Sequence, residues 1–191
     1  THNLLADLTG QDFPLRVIIF PENRGYSAAN NAAARVASGE FLVLLNNDTL
    51  PQPGWLSAML ETARRPRVGV VGSKLVYPKQ NTIQHAGYVY SDKGIFYPLY
   101  QGFPQDDSLV NREREFLAVL GACQLIRREL FLEVGGLEQY ALEDVDLCMK
   151  VRERGYRVLY CPRSFVYHFG SITLFGADAL SLPAVDTTGF Y

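Results

Sequence analysis

The run Phe41 to Leu45 (FLVLL) is apolar at every position and stops abruptly at Asn46-Asn47-Asp48-Thr49. Successive side chains of a strand point to opposite faces, so a strand without a polar face is expected inside a sheet covered by helices on both sides. The flanking sequence fits that frame. Leu15 to Phe20 (LRVIIF), stopped by Pro21, reads as a second buried strand. Between the two lies a polar turn, Glu22-Asn23-Arg24-Gly25. An alanine-rich helix follows, which Ser27 can cap and which runs to about Ala37 before Gly39.

Further along, Pro51 and Pro53 mark a loop, and Pro53 is placed to open a helix carrying Trp55, Leu56, Met59 and Leu60. Val68 to Gly72 is a third strand candidate, and Lys74 to Arg114 follows no regular period. Phe116 to Ile126 reads as a strand broken at Gly121-Ala122, and Arg128 to Val134 as a short helix stopped by Gly135-Gly136. The pairs Val145/Met149 and Leu147/Val151 define a helix over Asp144 to Arg154, ended by Gly155. Val158 to Tyr160 and Phe165 to Tyr167 read as short strands. Strand and helix alternate in the first half, which predicts an α/β layer with a mostly parallel sheet. Ligands of such sheets sit at the carboxyl ends of strands, so Asn46-Asn47-Asp48 is the first place to look for chemistry.

A chain of 191 residues suits one domain, here taken as residues 1–191. Its 18 Lys and Arg against 20 Asp and Glu, with no basic run, argue against general nucleic-acid binding. Three cysteines, at 123, 148 and 161, without CxxC spacing, point away from a zinc ribbon or a disulfide framework and towards a reducing compartment. Cys148 falls on the inner face of its helix by spacing.

Asn46, Asn47 and Asp48 offer hard oxygen ligands of the kind Mg²⁺ or Mn²⁺ takes; they also suit a simple Asn/Asp turn. Glu143, Asp144 and Asp146 begin a helix, where its dipole favours acids, yet three acids so close repel one another and raise a pKa, as a general base requires. His168 and His85 have no metal-site spacing, and Arg24 beside Gly25 is either a phosphate contact or a solvated turn residue.

Taken in order, these stretches resemble the inverting family-2 glycosyltransferases. The resemblance rests on Glu22-Asn23-x-Gly25-x4-Asn30, LLNNDT (Leu44 to Thr49), QHAG (Gln84 to Gly87), Gly121-Ala122-Cys123 running to Arg128, the EDVDLC stretch with its GYR ending, and VYHFGS (Val166 to Ser171). LNNDT, QHAG and GACxLIRR are similar to the rhamnosyltransferase-like subgroup that makes bacterial surface polysaccharide. The resemblance implies the GT-A fold, a Rossmann-like mixed sheet with helices on both faces. It implies a nucleoside-diphosphate sugar donor, a glycan or lipid-linked acceptor, and a Mg²⁺ or Mn²⁺ cofactor. A cytoplasmic site at the inner face of the plasma membrane goes with it, with peripheral membrane association and self-association left open.

By the same resemblance Asp144 matches the catalytic base, with Glu143 and Asp146 as supporting acids. Asp48 matches the last acid of the Asp-x-Asp metal motif, Asn46 stands where its first acid would be, and His168 matches a histidine that completes the metal shell. Asn23, Arg24, Gly25, Asn30 and Asn47 match the nucleotide-sugar side, and Gly121 and Ala122 the acceptor side. A carboxylate base and a metal on the diphosphate are what a single in-line displacement at an anomeric carbon needs. The family's first two strands have no counterpart here, Thr1 to Gly10 resembles the end of the helix after them, and relatives often continue beyond Ser171. A fragment of a longer enzyme is therefore expected, with an open apolar sheet edge. The competing expectation is a non-catalytic carbohydrate- or protein-interaction module; a GT-A-like nucleotidyltransferase explains no part of EDVDLC.

Overall fold

The computed structural model describes residues 15–93, 95–138 and 142–170. The expectations for Thr1 to Gly10 and for the chain beyond Gly170 lie outside the described residues. In chain order the elements are α1 (Gly25–Val36), β1 (Phe41–Leu45), β2 (Thr49–Pro51), α2 (Trp55–Ala63), β3 (Val68–Tyr77), β4 (Thr82–His85), β5 (Tyr88–Tyr90) and β6 (Phe96–Pro98). Then come β7 (Arg114–Glu115), β8 (Cys123–Arg127), α3 (Arg128–Glu133), α4 (Glu143–Glu153) and β9 (Arg157–His168).

The main sheet runs β1-β8-β3-β9-β2, with β4 added to β3 and β7 to β9, while β5 and β6 form a separate hairpin. Helices cover both faces, as the apolar β1 demanded. On one face Ala34 of α1, Phe131 of α3 and Val145, Cys148 and Val151 of α4 pack on Leu42, Leu44, Val70 and Val158. On the other, Ala58, Met59 and Ala63 of α2 pack on Val71, Leu75, Leu125, Leu159 and Cys161. All three cysteines are free and buried.

Several expectations are corrected. The sheet is not mostly parallel: β3–β9 is a parallel pair, whereas β1–β8, β3–β8, β2–β9, β3–β4 and β7–β9 are antiparallel. The alternation in the first half does make β1 and β3 run the same way, but β8 enters between them from the second half and opposes both. Phe41–Leu45 consequently ends the strand order among the described residues instead of lying inside it. Leu15 to Phe20 is extended but is no strand and is not buried; Ile19 is 70% exposed. No described strand lies alongside to complete a ladder with it, and its Arg16 Nη1 donates instead to Val36 O at the end of α1. Finally, Ser27 does not cap α1, which already starts at Gly25; its hydroxyl donates to Glu138 O at 2.7 Å.

The two short strands expected at the end are one strand, β9, whose pairing with β3 slips between Ser73 and Lys74. Part of the irregular stretch is likewise ordered, by β3 reaching Tyr77 and by β4 to β6 over a further core of Val76, Ile83, Val110, Phe116 and Tyr160. Bulges and very short strands destroy the period of two that would have announced them.

Candidate active site

The strand directions bring one set of loops to one edge of the sheet. β1, β3 and β9 point the same way, so Asn46, just past β1, and His168, at the end of β9, emerge together. β8 runs oppositely, so its entry, Gly121-Ala122, meets them there, with Cys123 opposite Leu45. Backbone bonds fix this corner: Asn46 N donates to Ala122 O at 3.0 Å and Phe169 N to Asp48 O at 2.9 Å. Thr49 Oγ1 donates to Asn46 O at 2.6 Å and tightens the turn. The N-terminus of α4 closes the far wall. The result is a cleft of about 290 Å³ lined by Tyr26, Asn46, Tyr88, Leu120, Gly121, Ala122, Leu142, Glu143, Asp144 and His168. That is near the lower end of small-molecule pockets, roughly 300–1,000 Å³.

Asp144 is 8% exposed. Its Oδ2 accepts Gly121 N–H and its Oδ1 accepts Val145 N–H, both at 2.9 Å. Burial pushes its pKa up, the Glu143 carboxylate adds to the rise, and the two backbone donors oppose it. A buried carboxylate held by amides at the wall of a cleft is chemically a proton acceptor. Close approach at Gly121 makes this possible: a Cβ there would lie 3.0 Å from the Tyr26 hydroxyl and 3.2 Å from Asp144 Cβ. Tyr26 clamps the same residue, donating its hydroxyl to Gly121 O at 2.8 Å. Burial and then the nearby Asp144 charge raise the pKa of both Tyr26 and Tyr88, which stay neutral hydroxyls.

His168 lines the same cleft, and its Nε2 lies 3.2 Å from Asp48 Oδ1. His168 is buried, and burial lowers its pKa more than Asp48 raises it. Its Nδ1 meets Gln84 Oε1 at 2.5 Å, and its Nε2 has no hydrogen-bond partner. A neutral imidazole that donates from Nδ1 presents a lone pair at Nε2, here facing a carboxylate oxygen. In that tautomer the two acceptors suit a cation between them. Cis ligands of an octahedral ion with bonds of about 2.1 Å lie roughly 3 Å apart, which this separation matches. Among the described residues no group of three or more His, Cys, Asp and Glu is gathered for a metal. Two protein donors suit an ion completed by phosphate oxygens and water. The residues therefore fit a divalent ion.

The cleft unites Asp144, Glu143, Asn46, Gly121, Ala122 and His168, with Asp48 behind His168. It does not gather the rest. Asn23, Arg24 and Gly25 line a different cavity of about 430 Å³, along the extended segment from Val17 to Glu22. Asn23 Oδ1 accepts Gly25 N–H there, and the Arg24 guanidinium sits 5.8 Å from the centre of the Phe20 ring. Asn30 spends its amide on Tyr26 O within α1, and Asn47 is exposed. Asp146 turns to Lys150 Nζ at 2.7 Å, an ion pair one helical turn away.

Sequence reasoning missed Tyr26 and Tyr88, and for His85 it noted only the lack of metal-site spacing. His85 is fully buried, with burial pushing its pKa down to about 3. Its Nε2 accepts Leu120 N–H at 2.9 Å and so braces the loop that presents Gly121 to Asp144. Its place in QHAG was the one available signal.

Residues 1–135 match the family described as glycosyl transferase family 2. The chain is 38% identical over 175 residues to the uncharacterised protein y4gI of Sinorhizobium fredii, covering 87% of this chain and 19% of that protein. It is 38% identical over 165 residues to the O-antigen biosynthesis protein RfbC of Myxococcus xanthus, covering 81% and 13%. The chain thus spans less than a fifth of the length of either relative. Among solved structures, GalNAc-T7 with UDP, GalNAc and Mn²⁺ superposes with a TM-score of 0.69 at 17% identity, over 87% of this chain and 34% of that one. That likeness is one of fold, the mixed α/β layer of GT-A glycosyltransferases.

Proposed function

The chain belongs to glycosyl transferase family 2, and from that premise we propose that its cleft transfers a sugar, with inversion, from a nucleoside-diphosphate sugar to a glycan or lipid-linked hydroxyl. The observation that carries the reading is the single cleft lined by both Asp144 and His168, the latter in contact with Asp48. Asp144 takes the acceptor proton as the new bond forms, and its burial gives it the basicity for that task. Asp48 and His168 would hold Mg²⁺ or Mn²⁺, with Asn46 as a neutral oxygen donor beside them. Bound there, the ion would neutralise charge gathering on the leaving diphosphate. Residues 1–191 act as one glycosyltransferase domain.

The subgroup motifs and the likeness to an O-antigen biosynthesis protein support a role in bacterial surface polysaccharide, with a rhamnosyl-type donor. Work at the cytoplasmic face of the membrane goes with that role. No helix among the described residues is long and apolar enough to cross a bilayer.

A second reading, a carbohydrate-interaction module without turnover, has one observation in its favour: the Asn23–Gly25 turn opens on a different cavity from Asp144. One experiment separates the two. Replacing Asp144 with Asn should reduce transfer by at least about a hundredfold, the scale of general-base catalysis, while calorimetry still detects UDP binding in the presence of Mn²⁺. Unchanged turnover refutes Asp144 as base, and a wild-type protein silent in calorimetry favours the module.

A further inference from the structure

Strand β4 ends in Gln84-His85, and its pairing with β3 slips at this point. Leu75 faces His85 while Val76 faces Ile83, so Gln84 is the extra residue of a bulge. Bulges beside functional sites re-aim side chains. Here the carboxamide of Gln84, itself buried, reaches His168, 84 residues away, with Oε1 2.5 Å from Nδ1. A carboxamide oxygen can only accept, so Nδ1 carries the imidazole proton. The other end of the amide faces Gly170, where a Cβ would come within 3.1 Å of Gln84 Nε2. Glycine at 170 leaves the amide room to hold this orientation.

The consequence falls on the opposite nitrogen. In the alternative tautomer Nε2–H would donate to Asp48 Oδ1, 3.2 Å away. Nε2 would then be closed to a cation, and Asp48 Oδ1 would spend a lone pair on the imidazole. We infer that Gln84 is a positioning residue: it holds His168 in the Nδ1–H tautomer, so that the Nε2 lone pair and the Asp48 carboxylate stay jointly open to a divalent ion. The second half of this inference rests on the metal reading above; the tautomer itself does not.

The test uses the metal-free protein with ¹⁵N-labelled histidine, the His168 signal being assigned by its loss in His168→Asn. Nitrogen shifts should report Nδ1–H in the wild type. In Gln84→Met, which keeps the length but removes the acceptor, His168 should change to Nε2–H and Mn²⁺ affinity should fall by about 10- to 100-fold, the usual effect of losing a ligand's hydrogen-bond partner. Gln84→Glu, which keeps an acceptor at the same place, should restore the wild-type tautomer and most of the affinity. An Nε2–H wild type, or a Gln84→Met protein with unchanged tautomer and Mn²⁺ affinity, overturns the role of Gln84. A wild type of the expected tautomer that binds no Mn²⁺ overturns the metal reading instead.

Discussion

The proposed chemistry turns, at the residue scale, on one carboxylate. Burial first, and the Glu143 charge second, hold Asp144 above the ordinary aspartate range. A base works only when ionised, so a raised pKa moves the acid limb of kcat/KM above the unperturbed value of about 4. Neutralising Glu143 by Glu143→Gln removes one of the raising influences. The limb is then expected at lower pH than in the wild type, read from the pH dependence of kcat/KM; a limb that stays put or moves up contradicts the assignment. Asp144 and His168, which line one cleft, could be picked out as candidates in the sequence because their motifs are local. The groups that tune them were not. Gly121 N–H reaches Asp144 from 23 residues away and the Tyr26 hydroxyl reaches Gly121 from 95 away. Neither contact leaves a pattern along the chain, since each exists only once β8 has entered the sheet.

Between elements, the distance from β3 to α4 sets how firmly the Asp144 helix is seated. Gly69 lets them meet: a Cβ there would fall 2.5 Å from Val151 Cγ1 and 2.8 Å from Tyr156 Cβ. Gly69→Ala is expected to cost about 1–3 kcal/mol, the range for overpacking a filled core. Adding Val151→Ala should recover part of it, because the clash and the relieving truncation share one contact. Denaturant midpoints of the two single variants and the double variant check this; strict additivity would show that the pair does not limit the packing. Element type was readable wherever apolar spacing persisted, as in α4 and β1. Order and direction were not, because nothing near Phe41–Leu45 states that its neighbour is Cys123–Arg127 rather than the next strand in the chain. The same insertion that spoiled the parallel expectation is what puts Gly121 beside Asn46, so the unreadable step of the topology builds the cleft.

Over the whole molecule the two halves of the described surface differ. The edge bearing the cleft is braced by backbone bonds from β1, β8 and β9. The side of β1 away from β8 pairs with no described strand, and Val17, Ile18 and Ile19 of the extended segment are exposed alongside α1. A groove of about 620 Å³, lined by apolar side chains together with Arg16 and Ser38, lies between that segment and Ala29, Ala33 and Val36 of the helix. Open strand edges and contiguous apolar surface favour association with other chains. Ile19, at 70% exposure, contributes little to the fold itself, so Ile19→Lys should leave the unfolding free energy within about 0.5 kcal/mol of wild type. A buried cation at a contact between copies is costly, so the same change should reduce concentration-dependent association, measured by sedimentation or light scattering at matched ionic strength. Association that persists undiminished in Ile19→Lys would place the sticky surface elsewhere, and a large loss of stability would show that the segment is packed far more tightly than its exposure implies.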